Sequence, residues 1–129
     1  MYVDASAMVA IITGEDDAEA LVTRLAAADE RISSVVSAFE AFLAMGTKLA
    51  DRPAAAVVVR EFLDLAGIGI ATIGEDLFDG LADAHTRFGK GSGHPAQLNM
   101  GDCFSYAVAK AKGMSLLYKG NDFSRTDLA

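Results

Sequence analysis

"MYVDASAMVAIITG", residues 1–14, changes character at Asp4. A short apolar run precedes that acid, and after it Met8, Ile11 and Ile12 recur at helical spacing until Gly14. The stretch reads as a short buried strand, an aspartate at its carboxyl end, and a helix stopped by glycine. The pattern repeats. "RISSVV" (31–36), "IGIATI" (68–73) and "SLLY" (115–118) are further short strand-like runs. Helical spacing separates them: "EDDAEALVTRLAAA" (15–28), a segment opened by Ser37 and running to about Ala50 with Phe39, Phe42 and Leu43 on one face, and "AAAVVVREFLDLAG" (54–67) after Pro53. "EDLFDGLADAHTRFG" (75–89) and "DCFSYAVAKAKG" (102–113) complete the set. "KGSGHPAQLNMG" (90–101) is a glycine-bearing loop, and "NDFSRTDL" (121–128) a turn into a final short helical segment. Short strands alternating with helices predict an α/β fold, a three-layer α/β/α domain around a parallel sheet of four to five short strands. One domain spanning 1–129 is expected.

Bulk properties narrow the function. A chain that is 52% hydrophobic and 22% charged is globular. Its single cysteine, Cys103, precludes an internal disulfide and fits a reducing cytoplasm. The apolar N-terminus carries Asp4 and no early base, unlike a secretory signal, and no run reaches the roughly 18–20 apolar residues of a membrane span. The net charge of −7 argues against a broad nucleic-acid surface, yet the charge is uneven. Residues 1–86 carry −10 and residues 87–129 carry +3, so a polyanion can still be met by the last third.

Four acids hold comparable places. Asp4 ends the first strand, Glu40 lies in the first turn of the third helix, Asp102 heads the helix before the fourth strand, and Asp122 follows that strand. Loops leaving the carboxyl ends of parallel strands open on one edge, where ligands bind. Asp102 joins the others only if the 89–101 loop returns the chain to that edge. Each acid also has a plain role: Asp4, Asp102 and Asp122 can start helices, and "SAFE" (37–40) matches a capping box with Glu40 reaching back to Ser37. If the four converge, a cation must relieve their repulsion or some must hold protons. All-oxygen donors without His or Cys select Mg²⁺ or Mn²⁺ over zinc. Such a site suits hydrolysis of a phosphodiester by activated water.

"MYVDASAMVAII", "SAFEAF", "LNMGDCFSYAVAKAKG" and "LLYKGNDFSRTDL" together resemble, in order and spacing, the segments of PIN-domain ribonucleases, and above all the VapC toxins of VapBC toxin–antitoxin pairs. The likeness spans residues 1–127. It implies an α/β sandwich and Mg²⁺- or Mn²⁺-dependent endoribonuclease activity, with Asp4, Glu40, Asp102 and Asp122 as metal-holding catalytic acids. It places Ser6 at a small hydroxyl position lining the pocket, with Asn99 and Asn121 in supporting roles; many relatives carry Asp where this chain has Asn121. A cognate VapB-like antitoxin and a homodimer are also implied, the antitoxin tail lying in a helical groove to which Met8, Ile11, Ile12, Leu21 and Leu25 can contribute.

Other residues carry less. Cys103 has no fixed partner among His85 and His94, and reads as a small buried hydrophobe. His94 reads as a loop residue. "GKGSGH" lacks the phosphate-loop pattern, leaving Arg87 and Lys90 as candidate RNA contacts. Lys110, Lys112, Lys119 and Arg125 read as solvated surface charges. A haloacid-type phosphatase requires Asp-x-Asp after the first strand, where this chain has Asp4-Ala5-Ser6. The alternative to a nuclease is a non-catalytic PIN-fold scaffold, which would be free to lose acids; all four positions are acidic.

Overall fold

Four strand-like runs become four strands, each reduced to two residues: β1 (Tyr2–Val3), β2 (Ile32–Ser33), β3 (Gly69–Ile70) and β4 (Leu116–Leu117). The structure is a computed structural model describing residues 1–129. All four strands pair in parallel, in the order β3-β2-β1-β4. Six helices surround them: α1 (Ala5–Thr13), α2 (Ala18–Ala26), α3 (Val35–Leu49), α4 (Arg52–Leu65), α5 (Phe78–Phe88) and α6 (Met100–Ala111). A 3₁₀ turn, Glu75–Leu77, leads into α5.

Two-residue strands suffice because consecutive side chains point to opposite faces of a sheet. Tyr2 and Leu116 enter one core with Phe88, Leu98, Tyr106 and Phe123. Their neighbours Val3 and Leu117 enter the other, with Met8, Leu25, Met45 and Val59. β1 and β4 thus seal both faces, giving the three layers the alternation predicts, while β3 at the opposite edge of the sheet is exposed. No helix is long and apolar enough to cross a membrane.

Local departures have physical causes. Helix α3 begins at Val35, capped by Ser34, whose Oγ accepts from the Ser37 amide at 3.3 Å. Val35 and Val36, assigned to the strand, therefore lie in the first helical turn, where the cap outweighs their β preference. Ser37 does not open the helix, and Glu40 falls in its second turn, beyond reach of a capping box. The stretch 121–128 forms successive turns rather than a helix. Ser124 Oγ donates to the Asn121 carbonyl at 2.7 Å and Thr126 Oγ1 to that of Phe123 at 2.8 Å, local bonds that compete with helical ones.

Helix α3 turns Ser37, Ala41 and Met45 inward. Its Phe39 and Leu43 are exposed, and the Phe39 and Phe42 rings stack at 5.8 Å on that outer face. Of the five proposed groove residues, Met8, Leu21 and Leu25 are core, and Ile11 and Ile12 are half-buried.

Candidate active site

In the order β3-β2-β1-β4 the direction of winding reverses at β1, with β2 on one side and β4 on the other. Such a switch point opens a crevice at the carboxyl ends of the flanking strands. Asp4 stands directly after β1, and Asp122 lies in the turns beyond β4. Helix α6 has to deliver the chain to the amino end of β4, so it runs against the strands and begins at the carboxyl edge. That answers the question left by the 89–101 loop. The loop folds on itself, with the Lys90 amide donating to the Leu98 carbonyl at 3.0 Å and the Leu98 amide to that of Phe88 at 2.8 Å. Asp102 then lies within Coulombic range of Asp4, Asp122 and Glu40.

Asp4 is the N-cap of α1 and is 5% exposed. Its Oδ2 accepts from the Ser6 amide at 2.9 Å and from Ser6 Oγ at 2.6 Å. Its Oδ1 accepts from Ser105 Oγ at 2.6 Å. Ser6 Oγ in turn accepts from the Lys119 amide at 3.0 Å, which ties the loop after β4 to the Asp4 turn. The expected supporting role of Ser6 is therefore structural as well: it joins the two chain segments that carry Asp4 and Asp122.

Asp102 is the third residue of α6, two positions inside the helix start at Met100. Asn99 is the N-cap, its Oδ1 accepting from the Asp102 amide at 2.9 Å while Asp102 Oδ2 accepts from the Asn99 amide at 3.0 Å. This capping box fixes the carboxylate and leaves Oδ1 without a protein donor. Burial first, then the charges of Asp122 and Asp4, push its pKa up to about 6, against the opposing pull of the Asn99 amide and Lys90.

Glu40 reaches across from α3 and its carboxylate lies on Gly101; a methyl there would overlap both carboxylate oxygens. The glycine before Asp102 is thus a gap for Glu40, since no side chain larger than hydrogen leaves room. Glu40 receives no protein hydrogen bond, and burial, with the charges of Asp4 and Asp102, pushes its pKa up to about 7. Asp122 is exposed, and neither it nor the side chain of Asn121 has a protein partner; Asn121 accepts only through its backbone carbonyl.

Among the bases, Lys90 is exposed and close enough to Asp102 to pull against its raised pKa. Arg87 is engaged elsewhere, with Asp83 at 3.3 Å, the Tyr106 hydroxyl at 3.4 Å and the ring of Phe88. Lys119 pairs with Glu15 and Asp17, and Lys110 with Asp127, so both are surface charges with acidic partners. His94 accepts from the Ala96 amide through Nδ1 and packs edge-on against Phe88, a loop brace. Burial pushes the Cys103 thiol up, which counts against a nucleophile.

Reasoning from the sequence missed three residues. Tyr2, Ser37 and Ser105 are fully buried and hydrogen-bonded in series to Asp4. The only sequence signal was Ser105 one turn beyond Asp102, on the inward face of an otherwise apolar helix.

The fit to a divalent ion rests on donor chemistry. No three His, Cys, Asp or Glu side chains form a ready-made cage. Mg²⁺ retains several waters and is commonly held by one or two direct carboxylates. Glu40 and the free oxygen of Asp102 are partly desolvated carboxylate oxygens lacking protein donors, with Asp4 and Asp122 nearby. A hard cation suits that set, and no His or Cys competes for a softer metal.

The PIN-domain family model matches residues 1–128. A VapC ribonuclease of Rhizobium meliloti (strain 1021) is 42% identical, the match covering 98% of each chain. A VapC ribonuclease of Mycobacterium tuberculosis (strain ATCC 25618 / H37Rv) is 39% identical over 99% of this chain and 96% of its own. Ribonuclease VapC of Mycolicibacterium smegmatis is 38% identical over 100% and 98%. A family match over residues 1–128 and relatives at 38–42% identity over nearly the full chain show the family: the chain belongs to the PIN-domain family, among the VapC ribonucleases.

Proposed function

We propose that this protein is the toxin of a type II toxin–antitoxin pair, an endoribonuclease dependent on Mg²⁺ or Mn²⁺. The observation that carries this reading is the meeting of Asp4, Glu40, Asp102 and Asp122 at one switch-point crevice, with two of them driven toward neutrality when no cation is near. Glu40, Asp102 and, beside them, Asp4 and Asp122 would hold the ion. When bound, it supplies water activation and stabilises the leaving oxygen of the phosphodiester. The chain's own share is orientation. Ser6 and Ser105 fix Asp4, Asn99 fixes Asp102, and Gly101 admits Glu40. Lys90, beside Asp102, is the cation best positioned to meet an RNA phosphate; Arg87 is held by its own partners. Asn121 leaves Asp122 as the single acid of its turn.

A VapB-like antitoxin is the proposed partner, its tail seated in the cleft lined by Ile11, Val22, Phe62 and Leu65 between α1, α2 and α4. A homodimer is supported by the exposed Val35, Phe39 and Leu43 on α3. The proposed setting is the cytoplasm, where RNA and the antitoxin meet.

The test is cleavage of RNA with Mg²⁺, with Mn²⁺ and with EDTA, by the wild type and by Asp4→Asn and Asp102→Asn. Cleavage should require the ion and vanish in both variants while each remains folded. Full activity in both would overturn the assignment.

A further inference from the structure

Four buried hydroxyls run in series through the core to Asp4. Ser34 Oγ is 2.8 Å from the Tyr2 hydroxyl, which is 2.7 Å from Ser37 Oγ, itself 3.1 Å from Ser105 Oγ. Ser105 ends the series on Asp4 Oδ1 at 2.6 Å. Tyr2, Ser34, Ser37 and Ser105 all have no solvent exposure.

Proton counting fixes the direction. Each hydroxyl carries one hydrogen. Ser105 donates its own to Asp4, so it accepts from Ser37. Ser37 has then used its hydrogen and accepts from Tyr2, and Tyr2 accepts from Ser34. Ser34 closes the series by accepting from the Ser37 amide at 3.3 Å. Every donor points the same way, toward the carboxylate. Hydrogen bonds aligned in this manner polarise one another, and in a dry core the effect is not screened.

The series also joins distinct parts of the site. Tyr2 lies on β1 two residues before Asp4, Ser34 and Ser37 belong to the start of α3, and Ser105 lies on α6 one turn after Asp102. Glu40 is one turn beyond Ser37 on the same helix. The elements bearing Asp4, Glu40 and Asp102 are therefore pinned to one another by hydroxyls buried beneath the crevice, which meet it only where Ser105 bonds Asp4. A purely apolar core would hold these elements together but would leave Asp4 Oδ1 without its donor, the carboxylate then being held only through Oδ2 by Ser6.

We infer that Ser105, Ser37 and Tyr2 are positioning residues, whose hydroxyl series sets the orientation of Asp4 and thereby the affinity of the acidic crevice for a divalent cation. This rests on the metal-dependent reading of the site. Groups that orient metal-binding carboxylates typically alter affinity about 10–100-fold when removed.

Mn²⁺ binding to the metal-free protein, followed by the loss of the free-ion electron paramagnetic resonance signal, is the direct test. Ser105→Ala should weaken binding about tenfold or more. Tyr2→Phe keeps the ring and leaves the Ser105–Asp4 bond in place, so a packing role predicts no change; we expect a weakening of about threefold, with Ser37→Ala between the two. Urea unfolding of each variant separates affinity from stability, and Tyr2→Phe serves if Ser105→Ala does not fold. Wild-type affinity in Ser105→Ala and Tyr2→Phe, alongside lost binding in Glu40→Gln, would overturn the hydroxyl series alone. Failure of the wild type to bind Mn²⁺ would overturn the metal-dependent reading and the inference with it.

Discussion

Asp4 and Asp102 both sit at the start of a helix, both are buried, and the fold treats them in opposite ways. Asp4 has three donors divided over its two oxygens. Asp102 has one, on Oδ2, and faces the charges of Asp122 and Asp4 with its other oxygen open. Donors to a buried carboxylate replace the hydration it has lost. At Asp4 the protein supplies that replacement itself, whereas at Asp102 and Glu40 it is withheld. A cation would complete the second pair and is hardly needed for the first. The crevice thus combines a fixed acid with two that remain energetically uncomfortable until a ligand arrives.

Removing each charge in turn should give the largest effects and divide the two acids. Both Asp4→Asn and Asp102→Asn should lower RNA cleavage by more than about a hundredfold, beyond the range for groups that merely orient ligands. Their stabilities should diverge. In Asp4→Asn, charge-assisted bonds from Ser6 and Ser105 are lost, costing about 1.5–3 kcal/mol. In Asp102→Asn the amide oxygen can still accept from Asn99, and a desolvated, repelled charge disappears, so the metal-free protein should be as stable as the wild type or more so. Urea unfolding near neutral pH reads both. Equal destabilisation of the two variants would break the contrast.

Gly101→Ala approaches the same pair from the Glu40 side. The added methyl meets only the tip of a flexible side chain, so Glu40 swings away and the backbone is undisturbed. Alanine for glycine inside a helix is worth up to about 1 kcal/mol. We expect folding at least as stable as wild type together with a loss of cleavage of about 10–100-fold. Substantial destabilisation would mean that the contact is rigid packing.

Much of this was legible from residues, and its gaps have specific causes. Asp4 and the four strand runs were readable because an apolar run followed by an acid and helical spacing leaves few alternatives. Asp102 is ambiguous in sequence because its helix precedes a strand, yet that is what brings it to the site: a helix feeding a parallel strand starts at the carboxyl edge. "SAFE" was misread because "SVVS" (34–37) competes for the same helix start, and the end of β2 decides in favour of Ser34. Freed from a capping box, Glu40 reaches Gly101. The residues 2, 37 and 105 become neighbours only through the fold, and no local pattern joins three hydroxyls so far apart. The acidic partners of Lys119 and Lys110 are likewise distant in sequence.

The pH dependence should carry the signature of the unrelieved pair. Glu40 has a folded pKa of about 7 against 4.5 for the ordinary group, and Asp102 about 6 against 3.8. Between each pair of values the folded chain holds a proton that the unfolded chain has released. Stability of the metal-free protein should therefore fall as pH rises from about 4 to about 7 and then level off. Both carboxyls are partly solvated, so screening moderates the size of the effect. Thermal midpoints across that range, with and without Mn²⁺, should diverge as pH rises. In Glu40→Gln the upper part of the slope should vanish.

The smallest effect should come from Asp127, which bonds none of the four acids, and it should be opposite in sign. Lys110, with the Tyr106 hydroxyl at 2.7 Å, holds its carboxyl below the usual range. Burial, helped by Asp127, pushes Tyr106 up to about 12, so its hydroxyl stays protonated and able to donate. A depressed carboxyl pKa stabilises the fold above the ordinary value, 3.8, and that contribution is lost as pH falls through the folded value. Asp127→Asn should therefore weaken the protein slightly at neutral pH, by less than about 1 kcal/mol for so exposed an ion pair, and not at all in strong acid. Cleavage should change no more than a few-fold, because Phe123, 1% exposed and packed against Tyr118, already anchors the turns that carry Asp122. A loss of cleavage as large as that of Asp102→Asn would make the Asp127 clamp, rather than Phe123, the element that fixes Asp122.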